Sequence, residues 1–359
     1  MKSFAQKESS LRWDSPSVQV LFQLLRIALG KEEPSPLPNC VNWQEVYELS
    51  LRQGVGAIAC DGLLKLEECS IDEDLKYKWM GQSMVIEENY MLRWNIICRL
   101  SALFAQQGIN TRVLKGAAYA SYYPCPNHRV STDLDICLLD DFEKGNQIVE
   151  EMGIEVNRND SKHSHFTING VHVENHQFCV GVRGNRKNKK LERYFKKLLS
   201  VRGDTLKGSC AYDPQWLFNA LFFMCHARNH FLIEKGITLK FLCDWIVMRD
   251  AEDARKNLDQ FWEDCSNLGL KQFAEVIDEI ADYMLGKCGV SDAGAIMLDD
   301  IIYLHEETMP VDDKLRAHIQ IISTIWNNRW KFRYYSDMTA LGLILTYIWG
   351  YIFDRHPDL

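Results

Sequence analysis

The sequence predicts an α+β protein, in which a small mixed β-sheet is flanked by N-terminal and C-terminal helical regions. Two observations predict this class. Strand-like runs of alternating or continuous apolar residues are confined to the middle of the chain, between residues 111 and 176. Helical patterns, with apolar residues recurring every three or four positions, dominate before and after it. We therefore expect a helical region at 1–108, the mixed core at 109–205 and a second helical region at 206–359.

Composition excludes several broad classes of protein. With 359 residues and 47% apolar side chains, the chain is long enough to bury one large core or several smaller ones. Its ten tryptophans, sixteen phenylalanines and fourteen tyrosines argue against disorder. The net charge of −8 argues against general coating of a polyanion. The amino-terminal residues lack an apolar stretch, so no secretory signal is expected.

The cysteines and one apolar segment bear on location. Twelve cysteines are scattered without a Cys-x-x-Cys pair, and several lie in apolar runs, including Cys98, Cys137, Cys225 and Cys243. This distribution fits reduced, buried thiols and not a disulfide framework or a zinc site, which predicts a cytoplasmic protein. The apolar segment 339–353 is shorter than the roughly twenty residues that span a bilayer. We therefore expect a buried core helix there and no transmembrane segment.

Local signals place the helices in order. The proline-rich segment 33–39 predicts a stiff loop between two N-terminal helices. Asn42, followed three residues later by Glu45, is typical of a helix N-cap. Asp213-Pro214 has the pattern of an N-cap and first helical residue. A long amphipathic helix is predicted from Met84 to Phe104 by apolar residues at helical spacing: Ile86, Tyr90, Trp94, Ile97 and Phe104.

The segment Thr132–Leu139 carries two carboxylates within the pattern of a buried strand. Because strand side chains alternate between faces, Asp133 and Asp135 are expected on the same face. Two like charges there repel each other and lose hydration, so they need a compensating cation or paired donors. Carboxylate oxygens suit Mg²⁺ or Mn²⁺, and the pattern therefore predicts a divalent metal site. The alternative is an exposed edge strand with two solvated aspartates.

Residues before this strand have the features of a phosphate-binding segment. A short strand runs into Lys115-Gly116, a strand-to-helix turn in which a glycine lets backbone amides approach a phosphate. Arg129, Ser131 and Thr132 come shortly before the aspartates, and their guanidinium and hydroxyl groups suit a polyphosphate. These five residues are therefore candidate nucleotide-binding residues.

A predicted hairpin places a third carboxylate. Asn169-Gly170 separates two alternating runs, which is the strongest short-range signal of a hairpin with a type I′ turn. The turn fixes three facing pairs: Thr167 with His172, His165 with Glu174, and His163 with His176. Glu174 is the candidate third acid. The neighbouring His165, His172 and His176 are expected to orient it by hydrogen bonding and not to bind the metal directly.

Two further features have a functional and a structural interpretation. Residues 183–207 are rich in lysine and arginine, which suits a strip facing phosphates, but the solvated face of an amphipathic helix is the favoured interpretation. His226 and His230 have a spacing that can bind a metal on a helix. The glutamate that follows the first histidine in the His-Glu-x-x-His motif of zinc proteases is absent here. We therefore expect His226 to form hydrogen bonds beneath the predicted metal site, within reach of Asp244 on the next helix.

Three motifs resemble those of the polymerase-β-type nucleotidyltransferase superfamily: Leu114-Lys115-Gly116, Arg129-x-x-x-Asp133-Leu134-Asp135 and Val171-His172-Val173-Glu174. More narrowly, the chain resembles a largely uncharacterised bacterial family of that superfamily. The resemblance implies that Asp133 and Asp135 bind metal and that Glu174 is the third acid. The superfamily usually has Gly-Ser or Gly-Gly where this chain has Lys115-Gly116-Ala117, so Lys115 is expected to replace the serine in contacting phosphate.

These features predict a metal-dependent nucleotidyltransferase that moves an NMP from an NTP to an acceptor hydroxyl and releases pyrophosphate. Asp133 and Asp135 would hold two Mg²⁺ (or Mn²⁺) ions ~3.5–4 Å apart, and Glu174 would complete the acceptor side. Lys115 and Arg129 would clamp the phosphates. The alternative is a non-catalytic nucleotide-sensing or partner-binding module with an eroded site. The acceptor is left open among a sugar, another small molecule, nucleic acid such as tRNA, and protein, and no obligate protein partner is expected.

Overall fold

The structure of the chain, a computed structural model, describes residues 13–38, 40–160, 162–234, 236–303 and 314–354, the side chains at 314, 315 and 317 excepted. It confirms the predicted α+β class, because a four-stranded mixed sheet lies between N-terminal and C-terminal helices along the chain.

The described residues before the sheet form α1 (Pro16–Ala28), α2 (Trp43–Arg52), α3 (Gly56–Leu64) and α4 (Glu73–Gln106). The predicted N-cap is confirmed, because the Asn42 side chain accepts a hydrogen bond from the backbone N–H of Glu45. The predicted long helix is also confirmed, but α4 begins well before Met84, since Asp72 caps it. Its 34 residues span about 51 Å at 1.5 Å each, and so α4 reaches from α3 to the sheet.

The sheet places the candidate acids on its two central strands. The sheet and the helices between its strands are, in chain order, β1 (Arg112–Leu114), α5 (Gly116–Ala120), β2 (Asp133–Cys137), α6 (Phe142–Glu151), β3 (His163–Ile168) and β4 (Val171–His176). The strand order is β1-β2-β4-β3; β2 and β4 are parallel, whereas β1 is antiparallel to β2 and β3 to β4. In this register Asp135 lies directly beside Glu174.

The hairpin of β3 and β4 has the predicted turn and register. Asn169 and Gly170 have φ values of +49° and +79°, as a type I′ turn requires. All three predicted facing pairs are present: Thr167 with His172, His165 with Glu174, and His163 with His176. Phe166 and Val173, on the opposite face, are buried in the core. The hairpin therefore presents Glu174 on its polar face.

Most of the described residues after the sheet are helical: α7 (Arg186–Ser200), α8 (Trp216–Ile233), α9 (Leu239–Arg249), α10 (Glu252–Asn267), α11 (Lys271–Met284), α12 (Asp292–Ile302), α13 (Lys314–Asn327), α14 (Arg329–Tyr335) and α15 (Ala340–Phe353). The predicted helix start at Asp213-Pro214 was too early, since α8 begins at Trp216. The Asp213 side chain instead accepts a hydrogen bond from the amide of Asn219, 3.0 Å away.

The prediction of a buried core helix at 339–353 is wrong in part. The helix forms as α15, but only Ala340, Ile344 and Gly350 in it are buried. Trp349 is 58% exposed. An apolar pattern without a polar face does not show which side of a helix is covered, so the sequence did not contain this information.

The basic segment 183–207 contains the amphipathic helix α7, as predicted. Phe195 and Leu199 are buried on one side of it. On the exposed side, Nζ of Lys187 lies 2.8 Å from Oδ2 of Asp337. This pairing with a carboxylate favours the structural interpretation over a phosphate-binding strip.

Two clusters of buried apolar residues hold these elements together. The smaller cluster packs one face of the sheet against the C-terminal half of α4 and includes Ile97, Leu134 and Val173. The larger cluster joins N-terminal and C-terminal helices, and the ring centroids of Phe22 and Tyr283 lie 6.3 Å apart there. The three-part division of the chain stays a prediction.

All twelve cysteines are free thiols. Cys137, Cys225 and Cys243 are buried as expected, whereas Cys98 is only partly buried. Within the described ranges, no helix is both long enough and apolar enough to cross a membrane.

Candidate active site

The candidate site lies on one face of the central strands, where β2 presents two carboxylates. Asp135 is 2% exposed, whereas Asp133, at the start of the strand, is half-buried. Both lie opposite Leu134 and Ile136, which enter the smaller core. Since β2 is flanked by β1 and β4, the alternative of an exposed edge strand does not apply.

Lys115 supplies a cation to the buried carboxylate. Its Nζ lies 2.6 Å from Oδ1 of Asp135, and the two side chains are 11% and 1% exposed. Burial raises the pKa of Asp135, but the charge of Lys115 and the hydrogen bond with His176 hold it far below its usual range. Burial lowers the pKa of Lys115, but the attraction of Asp135 and Asp133 outweighs it, so the net shift is upward. The two groups are therefore an ion pair at neutral pH.

The backbone at Lys115 is strained. Its φ is +50° and its ψ is −138°, a region that glycine adopts easily. For other residues such a conformation costs about 1–3 kcal/mol, and this kind of strain clusters at functional sites. Lys115 therefore combines a strained backbone with a buried ion pair to Asp135.

Glu174 is held by two imidazoles. Nε2 of His176 lies 3.3 Å from its Oε2, and Nε2 of His163 lies 3.4 Å from its Oε1. Burial and the nearby Asp135 raise the pKa of Glu174, but the hydrogen bond with His176 and the interactions with the His163 and His176 imidazoles outweigh them, so the net shift is downward. Glu174 is therefore an ionised carboxylate at neutral pH.

Asp135, Glu174 and His176 form a group of potential metal ligands, because one ligand atom of each lies within 4.8 Å of the others. His176 is fully buried, and its Nε2 lies 2.8 Å from Oδ1 of Asp135, so the imidazole orients both carboxylates. Asp133 adds a third carboxylate on the same strand face. Oxygen ligands of this kind fit Mg²⁺ or Mn²⁺.

The other predicted histidines differ in their distance from the acids. Nε2 of His172 is 4.0 Å from Oε1 of Glu174, and its side chain is 45% exposed. His165 faces Glu174 across the hairpin, and its ring centroid lies 5.1 Å from that of His172. His226, on α8, lies with its ring centroid 4.3 Å from that of His230. Loss of hydration, reinforced by nearby positive groups including Lys115, lowers the pKa of His226 well below its usual value.

Arg129 and Asp244 form a buried ion pair. Nε and Nη2 of Arg129 each donate a hydrogen bond of 2.7 Å to the carboxylate of Asp244. Nη1 donates to the carbonyl oxygen of Val130 at 3.3 Å, so all three nitrogens contact protein atoms. The hydroxyl of Tyr123 also donates to Asp244, at 2.7 Å, and no hydrogen bond joins Asp244 to His226 among the described residues. In this structure Arg129 thus positions the segment before β2.

The turn at Gly116 lies against that same segment. A Cβ at Gly116 would come 3.1 Å from Oγ of Ser131, and φ is +24°, so the position requires glycine. Ser131 donates to the carbonyl oxygen of Asp133 at 3.0 Å, and Thr132 donates to Oδ1 of Asp133 at 3.3 Å. The structure therefore brings the predicted turn and hydroxyl residues together beside Asp133. Since α5 has only five residues, its dipole adds little to anion binding.

Two cationic side chains near the site, those of Arg93 and Lys240, belong to no motif that is visible in the sequence. Burial lowers the pKa of Arg93, on α4, but Asp133 is close enough to oppose this effect. Burial, together with the charge of Arg129, lowers the pKa of Lys240, on α9, to about 8. Both residues reach the site through long-range packing of their helices, which local patterns do not encode.

A second group of potential metal ligands consists of Asp61, Cys125 and His128. Its imidazole already bridges two carboxylates, because Nδ1 lies 2.7 Å from Asp61 and Nε2 lies 2.6 Å from Glu87. Asp61 belongs to α3 and Glu87 to α4, so the histidine ties both helices to the segment before β2. These ion pairs account for the cluster without a metal.

We predict that the ion pairs of His128 with Asp61 and Glu87 stabilise the fold less as the pH rises. Hydrogen bonding to Asp61 raises the pKa of His128, Glu87 adds to the shift, and burial opposes it. A raised folded-state pKa gives stabilisation that is complete below the unfolded-state value of about 6.5 and is lost as the pH rises through the folded-state value. The difference in unfolding free energy between wild type and His128→Gln, measured in urea, should therefore shrink from pH 5 to pH 9. A difference that stays constant would contradict this assignment, and His172→Gln, at an exposed position, is the control.

The sheet carries three acids on one face of its central strands, and the comparison with protein families gives the class of protein to which this site belongs. The chain belongs to a family described as uncharacterised nucleotidyltransferase, which matches residues 39–286, from just before α2 to just after α11. The narrower resemblance inferred from the three motifs, to an uncharacterised nucleotidyltransferase family, is thereby confirmed.

Among solved structures, the chain is similar to the crystal structure of ANT(2″)-Ia in complex with adenylyl-2″-tobramycin. The sequence identity is 11% and the TM-score is 0.29, and the match covers 54% of this chain and 97% of that chain. A comparison with curated proteins gives no match.

Proposed function

We propose that this chain is a metal-dependent nucleotidyltransferase that moves an NMP from an NTP to an acceptor hydroxyl. The observation that carries the proposal is the convergence of Asp133, Asp135 and Glu174 on one sheet face, with Asp135 beside Glu174 in the parallel strands β2 and β4. Membership of the family supports nucleotidyl transfer in general. In the reaction, the acceptor oxygen bonds to the α-phosphorus as the bond from that phosphorus to pyrophosphate breaks.

The side chains present fit a resident divalent cation. Three carboxylates, those of Asp133, Asp135 and Glu174, lie on one face of the sheet, and carboxylate oxygens suit a divalent cation; the ammonium of Lys115 contacts Asp135 at 2.6 Å. Asp133 and Asp135 would hold Mg²⁺ or Mn²⁺, with Glu174 on the acceptor side. Such an ion, when bound, withdraws charge from the phosphates and the acceptor oxygen.

Glu174 is the residue that we assign to the acceptor proton. Its carboxylate is 19% exposed, so it is reachable from solvent while His163 and His176 hold its orientation. It takes the proton of the acceptor hydroxyl as the new P–O bond forms.

Lys115 and the glycine turn are assigned to the phosphates. The ammonium of Lys115 exchanges its contact with Asp135 for a phosphate oxygen when the NTP enters, because it is a compact charge on a flexible stem. Gly116 leaves room for the chain beside Ser131, and Arg129 keeps that segment in place through Asp244. The free thiols fit a reducing compartment, so we propose a cytoplasmic location.

One observation favours a second candidate function, a non-catalytic nucleotide-sensing module. The ammonium of Lys115 already neutralises Asp135 at 2.6 Å, in the way that a metal otherwise would. In a sensing module this pair would persist and the NTP would bind without reacting. We prefer the enzyme, because a permanent Lys115–Asp135 pair gives no role to Asp133 and Glu174.

We predict that Asp133→Asn/Asp135→Asn abolishes metal-dependent NTP binding. Calorimetric titration of a non-hydrolysable NTP into the wild type, with and without Mg²⁺, should show binding that requires the ion. The single variant Asp133→Asn, at a half-buried position, keeps the Lys115–Asp135 pair and should show the same loss with an unchanged melting temperature. Asp140→Asn, just after β2 and exposed, is the matched control. Metal-dependent NTP binding that survives in the double variant would overturn the proposal.

A further inference from the structure

A cavity of about 210 Å³ lies between α4 and the segment before β2. One wall consists of α4 from Ile86 to Ile97, and the other includes Gly116, Ser131 and Asp133. The cavity therefore extends from the residues assigned to phosphate and metal onto a helix of the N-terminal region. The reaction as proposed above gives this helix no role.

Two aromatic side chains contribute to the α4 wall. Tyr90 and Trp94 are one helical turn apart, their rings are parallel to within 6°, and their centroids lie 6.1 Å apart. Both side chains line the cavity and are half-buried, although their spacing predicts a stripe that faces the core. Aromatic side chains that line a binding cavity provide stacking partners for nucleobases of any identity.

Arg93 lies between these two aromatic residues in the sequence and lines the same cavity. Its Nη1 donates to the carbonyl oxygen of Asn89 at 2.8 Å, whereas its Nε is buried and has no hydrogen-bond partner in the described part of the chain. A buried N–H without an acceptor is costly, so a ligand atom that accepts this hydrogen bond would stabilise the site. Phosphate oxygens are the acceptors that a guanidinium binds most strongly, with carboxylates.

We propose that this cavity receives the nucleoside part of the NTP, with the base stacked on Trp94 and Tyr90 and a phosphate oxygen bound by Arg93. The inference rests on the proposed function, because the cavity borders Asp133, which the proposed function assigns to the metal. Pockets that enclose a whole drug-sized ligand measure roughly 300–1,000 Å³, so a smaller cavity holds the base and sugar while the phosphates extend toward Lys115. The positive charge of Arg93 disfavours a cationic acceptor in the same place.

Arg93→Gln should weaken binding of the Mg²⁺ complex of a non-hydrolysable NTP by about 10–100-fold, since it removes a charge-assisted hydrogen bond. Binding of inorganic tripolyphosphate should be weakened to a similar extent, because Arg93 is proposed to contact phosphate and not the base. Arg99→Gln is the matched control, as Arg99 is an exposed arginine of the same helix that does not line the cavity. Calorimetry gives the dissociation constants, and melting temperatures show that each variant is folded.

Trp94→Leu should weaken NTP binding by about 5–100-fold and leave tripolyphosphate binding unchanged, because stacking acts on the base alone. Trp94→Phe keeps a ring and most of the packing, and it should bind the NTP with intermediate affinity if Trp94→Leu folds poorly. The ratio of the two ligands' dissociation constants thus separates a binding role from a general loss of structure. Trp326→Leu, at an exposed position outside the cavity, is the control.

The outcomes separate this inference from the proposed function. If the wild type binds the NTP and both Arg93→Gln and Trp94→Leu bind it equally well, the cavity has no nucleoside role and the inference is overturned. If these variants lose NTP binding while Asp133→Asn/Asp135→Asn retains it with and without Mg²⁺, the cavity assignment stands and the metal-dependent reaction fails. If the wild type binds no NTP, both are overturned.

Discussion

Glu174→Gln is expected to lower the rate of nucleotidyl transfer by about 100-fold or more, because general-base catalysis typically contributes 10²–10⁴-fold. The amide keeps the shape of the side chain but cannot take the acceptor proton. The fold should be retained, since the position is 19% exposed and an amide still accepts a hydrogen bond from His176. The measurement is pyrophosphate release with the acceptor that gives the highest wild-type rate, with the melting temperature measured in parallel.

The control for this prediction lies on the same strand. His172 is 45% exposed, and its Nε2 is 4.0 Å from Oε1 of Glu174, so His172→Ala should change the rate by less than about threefold. Inserting one residue into the Asn169-Gly170 turn should turn Glu174 to the opposite face and reproduce the loss. Full turnover in Glu174→Gln would mean that the third acid lies elsewhere.

Asp244→Ala is expected to cost about 3–5 kcal/mol of unfolding free energy, because it leaves the buried guanidinium of Arg129 without a counter-charge. The pair is 6% and 1% exposed, so water cannot replace the lost carboxylate. The Tyr123 hydroxyl would also lose its acceptor. Urea unfolding, followed by the fluorescence of the chain's tryptophans, measures the effect.

Removing both charges separates the cost of an unpaired ion from the cost of a lost contact. Arg129→Met/Asp244→Leu should be less destabilised than Asp244→Ala, because no buried charge is left over. It should still impair transfer, since Arg129 positions the segment that carries Ser131. A loss below about 1 kcal/mol in Asp244→Ala would show that the pair does not hold this segment.

Local chemistry made the hairpin predictable. The Asn169-Gly170 pair fixes a two-residue turn, and the period of two along a strand then fixes every facing pair, including His165 with Glu174. The same periodicity places Asp133 and Asp135 on one face without knowledge of the rest of the fold. The assignment of roles to these acids remains a proposal.

Long-range packing made other parts of the site unpredictable. Arg129 and Asp244 are separated by 115 positions, and no local pattern indicates that the guanidinium of the first will pair with the carboxylate of the second. Arg93 lies on a helix whose apolar spacing describes an amphipathic surface, and only the placement of α4 beside β2 brings it near Asp133. Periodicity also does not reveal the strained backbone at Lys115, since positive φ is expected of glycine.

Nucleotidyl transfer is tested most directly by following the α-phosphorus of the substrate. The wild type would be incubated with Mg²⁺ and NTPs labelled at the α-phosphorus, against a panel of sugars, other small hydroxyl compounds, nucleic acids and proteins that includes the chain itself. We expect label to become covalently attached to an acceptor, with one pyrophosphate released for each NMP transferred, and we expect neither result with Asp133→Asn/Asp135→Asn. Binding of the NTP without any transfer of label would contradict this expectation and would favour a nucleotide-sensing module in which Lys115 remains paired with Asp135.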